Sequence, residues 1–143
     1  MNKGFDLAAI DTATASDKGF ELELRHPVTN AATGVFITVL GKDSKVFKDY
    51  VRAKANERLR KDMMTRNRGK DNDPPTVEQL ERDTIDLLTA CTLSWRDGDA
   101  PSITLGGKAL EFNEANVRTV YAITPIRDQV DEAIGDMGNF LPG

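Results

Sequence analysis

The sequence predicts an α+β fold, mainly helical, in which about four helices follow an N-terminal antiparallel β-hairpin. Two observations carry that expectation. Phe20-Glu21-Leu22-Glu23-Leu24 alternates apolar and acidic residues, and Val35-Phe36-Ile37-Thr38-Val39-Leu40 is a β-branched run ended by Gly41. Downstream, apolar residues recur at helical spacing behind capping residues. A length of 143 residues suits one domain with a real core.

Residues 1–18 are weakly patterned, so a weakly ordered arm is expected there, with Phe5, Leu7 and Ile10 docking it or forming a short edge strand. Residues 19–143 form the single folded domain. The first hairpin turns through Pro27, Asn30 and Gly34. Its second strand is apolar on both faces. A lone hairpin is marginal in water, so a helix, a third strand or another subunit must cover it.

Asp43 or Ser44 can cap a helix running to about residue 64, with Phe47, Val51, Ala55, Leu59 and Met63 as its apolar stripe. Residues 65–75 read as a polar, mobile loop. Thr76-Val77-Glu78-Gln79 is a capping box. The helix it opens is expected to reach Leu93, turning Leu80, Thr84, Leu87, Leu88 and Cys91 inward, with Trp95 closing it. Ile103-Thr104-Leu105 and Ala109-Leu110-Glu111-Phe112, joined by Gly106-Gly107-Lys108, form a small second hairpin or an extended loop. Asn113 caps a short helix carrying Val117, Val120 and Tyr121. Thr124 caps the last, with Pro125 in its first turn and Ile126, Val130, Ile134 (or Ala133) and Met137 inward.

Composition narrows the chemistry. Mean hydropathy is −0.43 and no long apolar run occurs, which excludes a membrane helix. Residues 1–16 lack the apolar segment of a secretory signal. The single cysteine, Cys91, lies in an apolar run and reads as core, so a reducing cytoplasm fits. His26, the one histidine, precedes Pro27 in a turn. One Cys and one His furnish neither a nucleophilic pair nor a zinc site. Gly106-Gly107-Lys108 lacks the flanking residues of a phosphate loop, and Asp71-Asn72-Asp73 and Asp97-Gly98-Asp99 do not continue into a calcium loop. No catalytic, cofactor-binding or metal-binding residue is expected.

Charge is unevenly spread. Residues 42–70 hold 11 Lys/Arg against four acids, a local +7, while the rest carries 8 basic and 19 acidic residues, or −11. Such a basic segment attracts nucleic acid or the acidic face of another copy. Only Phe47 and Tyr50 are interleaved with it, and no reading motif accompanies it, which favours the second. Trp95 and Phe112 read as core. Phe140 and Leu141, near a frayable terminus, either dock on their own domain or are offered to a partner.

From about Val35 to the C terminus the order of elements resembles the tail assembly chaperones of long-tailed bacteriophages. The resemblance rests on the 47–64 helix, the helix ending at Trp95, the Phe112-Asn113-Glu114-Ala115-Asn116-Val117 step, the Pro125-Ile126-Arg127-Asp128-Gln129-Val130 helix and the closing Asn139-Phe140-Leu141. It implies a non-catalytic protein that coats the tape-measure protein in the host cytoplasm, self-associates and is absent from the virion. The tail-tube protein is a further candidate partner; nucleic acid and membrane are not. Partner contacts are then expected from Phe36 and Leu40 on the strand, from Tyr50, Arg52, Lys54 and Arg58 on the basic helix, and from Phe140 and Leu141. The alternatives are a structural tail or tail-completion protein kept in the virion and, less favoured, a nucleic-acid-binding regulator using residues 42–70.

Overall fold

Three consecutive backbone amides tie the molecule together. Leu40 N donates to Cys91 O at 2.7 Å, Gly41 N to Ser16 O at 3.1 Å and Lys42 N to Ile134 O at 3.0 Å. They sit directly after the central strand and reach three separate parts of the chain. The computed structural model describes residues 4–67 and 74–141. Most of the loop expected at 65–75, and the last two residues, lie outside that range.

The architecture is α+β. Strands β1 (Phe20–Arg25) and β2 (Ala32–Val39) form the expected antiparallel hairpin, with Leu22 opposite Ile37. The cover that β2 requires is a third strand, β3 (Thr92–Asp97), on its other edge, so the sheet order is β1-β2-β3. This corrects the expected helix through Leu93. Helix α3 (Val77–Ala90) ends earlier, and Trp95 is a strand residue opposite Ile37. The physical reason is the unpaired edge of β2, whose backbone groups cannot be left without partners in a core. Ile37 pairs with Trp95 but Val39 with Thr92, so Leu93 is an inserted bulge residue that keeps both Thr92 and Trp95 buried.

The N-terminal segment is helical, not a loose arm or an edge strand. A 3-10 turn at Leu7–Ile10 leads into helix α1 (Thr12–Lys18), capped by the Asp11 carboxylate on Thr14 N. Helix α1 is fastened by the Ser16 carbonyl on Gly41 and by Lys45 N donating to Asp17 Oδ1 at 2.8 Å. Phe5, Leu7 and Ile10 themselves stay exposed.

Helix α2 (Lys45–Asn67) starts where the Ser44 hydroxyl accepts from Phe47 N. At 23 residues it is about 35 Å long. Only its first turns are packed: Phe47 touches the core, whereas Val51, Leu59 and Met63 are exposed. The stripe expected to face inward is therefore largely uncovered. The capping box opens α3 as expected, with Gln79 N donating to Thr76 Oγ1 and Thr76 N to Gln79 Oε1. Strands β4 (Ile103–Leu105) and β5 (Lys108–Leu110) settle the open alternative as a hairpin. Gly106 (φ 58°) and Gly107 (φ 80°) supply the two positive φ angles that its two-residue turn needs.

Helix α4 (Glu114–Tyr121) is capped by Asn113, whose side chain accepts from Asn116 N at 2.8 Å. Helix α5 (Thr124–Gly135) begins one residue earlier than expected: Ile123 is the cap position, without a side-chain bond, and Thr124 is already helical. The helical layer of α3, α4 and α5 closes over one face of the sheet. Between them lie Ile37, Val39, Leu88, Cys91, Val117, Tyr121, Val130 and Ile134, all essentially inaccessible.

A Cβ on Gly41 would lie 2.8 Å from the Ser16 Cβ and 3.0 Å from the Phe140 ring. Gly41→Ala should therefore destabilise the fold by about 1–3 kcal/mol, read from urea-unfolding midpoints. An unchanged midpoint would show that α1 and the C-terminal segment do not close on Gly41.

Candidate interaction surface

Helices α2 and α3 meet through polar side chains. Tyr50 Oη donates to Asp83 O at 3.4 Å, and Lys54 Nζ lies 3.3 Å from Asp83 Oδ1. The Asp83 hydrogen bond raises the Lys54 pKa above the usual lysine value. Beyond them a groove of about 590 Å³ runs between Arg58, Lys61, Glu57 and Asp62 on one wall and Arg82 and Asp86 on the other. Arg118 of α4 joins Asp86, and its ion pair with Glu114 is 3.1 Å long. Of the four α2 residues expected to contact a partner, Tyr50 and Lys54 are thus engaged within the chain, and Arg58 lines an internal groove. Arg52 points elsewhere, 71% exposed and only 3.6 Å from Asp49.

Because the polar side of α2 faces α3, its apolar row faces away. Val51 is 47%, Leu59 60% and Met63 64% exposed. Helix α3 does something similar at its start. Val77 and Leu80 continue the stripe of Leu87 and Leu88 beyond the end of the body, where they are 75% and 48% exposed. The helix pair thereby shows two bare apolar rows.

The sheet and the C terminus do not behave as expected. Leu40 is buried in the core cluster, because it follows β2 directly into the junction with Cys91. Phe36 lies on the outer sheet face beneath the Arg96 guanidinium, 3.9 Å from its ring centroid. Glu21 holds that guanidinium with two hydrogen bonds of 2.6 and 3.0 Å. The same bonds keep the Glu21 carboxyl below its ordinary pKa. Phe140 is buried edge-on against Phe20 at 5.9 Å, so it docks on its own domain, and Leu141 is half-buried. Leu40 and Phe140 are consequently structural, and Phe36 is roofed. Phe112, expected in the core, is 38% exposed and packs edge-on against Trp95 at 5.3 Å.

Sequence reasoning missed a second feature. Between β1 and α5 lies an open groove of about 810 Å³. Phe20 and Leu22 form its floor, and Glu23, Asp128, Glu132 and Asp136 its rim. Gln129 fixes its geometry by pairing with the Arg25 backbone in both directions, accepting from Arg25 N at 2.8 Å and donating to Arg25 O at 2.9 Å. The sequence signal was the i, i+4 spacing of Asp128 and Glu132; that they flank an apolar strand depends on packing.

Burial disfavours ionisation in the interior. Cys91 is fully buried, and desolvation pushes its thiol up to about 11. Desolvation likewise raises the Tyr121 phenol, whose oxygen lies 2.5 Å from the Thr92 hydroxyl. Among the described residues no group of three or more His, Cys, Asp or Glu could hold a metal ion, and no helix is long and apolar enough to cross a membrane. Compared with known family models, curated proteins and solved structures, the chain matches none.

The unfolded thiol ionises near pH 9 while the folded one stays protonated to about 11. The unfolded chain therefore loses its proton first, and native stability falls as pH rises through that window. Tyr121 acts in the same direction at still higher pH. Urea midpoints measured from about pH 8 to 11 should fall less steeply for Cys91→Ala than for the parent. Identical slopes would mean that the thiol ionises freely in the native state.

Proposed function

We propose that the chain is a tail assembly chaperone of a long-tailed bacteriophage: it binds the tape-measure protein in the host cytoplasm during tail assembly, keeps it soluble, and catalyses nothing. The supporting observation is the helix pair with its two bare apolar rows on an otherwise well-packed body. An apolar helical partner is recognised by rows of side chains at i, i+3 and i+4 spacing, and Val77 and Leu80 on α3 present such anchors. Surface apolar side chains aligned along one element mark an interaction site more than scattered ones do. The order of the C-terminal elements, from the Asn113 cap to Phe140, supports the same reading. The buried, protonated state of Cys91 favours a binding role over nucleophilic chemistry.

In this reading α3 contacts the tape-measure chain, and multiple copies line up along it. Co-expression with the tape-measure protein, followed by affinity capture, tests it. The parent chain should retain the tape-measure protein in solution. Val77→Asp combined with Leu80→Asp should weaken capture by about tenfold or more, with helical circular dichroism unchanged. Capture that survives both substitutions would remove α3 from the contact. Recovery of the polypeptide in purified virions would make it a structural tail component instead.

A further inference from the structure

The outward face of α2 and the groove between β1 and α5 are chemical complements, and we infer that the first docks into the second on another copy of the same chain. The inference deepens the proposed function, resting on it for the purpose of self-association but not for the chemistry. On a helical wheel Arg52, Leu59, Met63 and Arg66 fall within roughly 40° of one line, on the side opposite Lys54 and Lys61. Leu59 and Met63 are more than half exposed. Arg52 has only the long contact to Asp49, and Arg66 forms no ion pair among the described residues. This face is a greasy ridge flanked by exposed guanidinium groups.

The groove is its negative image. Its floor is Phe20 and Leu22, and Asp128 and Glu132 stand one helical turn apart on its rim. Neither carboxylate has a cation within ion-pair distance among the described residues, whereas Glu23 and Asp136 accept from the backbone amides of Gly34 and Gly138. Arg25, which also lines the groove, donates its guanidinium to Asn30 O at 3.1 Å. A ridge seated there buries Leu59 and Met63 on the floor and gives Asp128 and Glu132 their missing cations.

The two surfaces differ, so the contact is heterologous. Each assembly keeps one free ridge at one end and one free groove at the other, and association grows as an open chain, not a closed dimer. A nucleic acid is the poorer occupant of the ridge, because Leu59 and Met63 interrupt the positive line and no aromatic platform accompanies it. Exposed charges drive the pairing, so it weakens as salt approaches 1 M, where the screening length is about 3 Å.

The test uses two full-length variants in sedimentation velocity: a ridge variant (Arg52→Glu, Leu59→Asp, Arg66→Glu) and a groove variant neutralised so that it cannot attract the reversed ridge (Asp128→Asn, Glu132→Gln). All five sites are on the surface, and circular dichroism checks that both variants fold. The parent should form concentration-dependent chains. Each variant alone should be monomeric, with association weakened by at least about tenfold. Mixed one to one, the variants should form a heterodimer and nothing longer, because one intact ridge then meets one intact groove. A groove variant that associates like the parent, a mixture that stays monomeric, or a monomeric parent would each overturn the inference. So would a DNA duplex that binds the parent but not the ridge variant while the parent remains monomeric. Capture of the tape-measure protein by both variants would leave the proposed function standing if self-docking fails. Chain formation without any such capture would sink the function and keep the docking.

Discussion

Strand β2 is apolar on both sides and cannot stand unpaired, and the rest of the molecule is arranged around that constraint. Its hydrogen-bonding groups require a strand on each edge, and Ile37 and Val39 require a dry layer above them. β1 satisfies one edge at short range through a hairpin. The other edge waits for β3, more than 50 residues later in the chain. Everything between, the long α2 and the capped α3, is the connection that brings Thr92–Asp97 back beside it.

The amides of residues 40–42 convert that pairing into a closed structure. Where β2 ends, they bond in turn to the α3–β3 junction, to α1 and to the end of α5. Gly41 fits at this crossing because any side chain would occupy the space of Ser16 and Phe140. The same crossing explains why Leu40 and Phe140 are fixed in the interior: Leu40 is held by the α3–β3 junction, and Phe140 packs on Phe20 and Gly41 from the N-terminal half.

Partner-facing surface is left only where the body runs out. α2 is longer than the layer beneath it and spends its polar face on α3, so its apolar row has nowhere to go but outward. Elsewhere, α5 leans over β1 with its carboxylates and leaves the half-buried Phe20 and Leu22 between them. The uneven charge along the sequence thus becomes two separated surfaces of opposite sign, each with an apolar centre.

Local physics made much of this legible in the sequence. The alternation of Phe20, Leu22 and Leu24, the Thr76 to Gln79 box and the Asn113 cap each act within a few residues, so reading them needs no tertiary information. The basic character of α2 was equally plain. Trp95 was misplaced because a strand that pairs with a residue far away looks, in sequence, like the continuation of an apolar helix; only the free edge of β2 decides between them. Which side of α2 is bare, and that Asp128 and Glu132 overlook Phe20, depend on how helices of unequal length pack on one sheet. Composition and spacing determined by themselves an α+β chain with a basic helix and an acidic remainder. Tertiary packing alone decided which of those residues meet water, because burial is a property of neighbours distant in the chain.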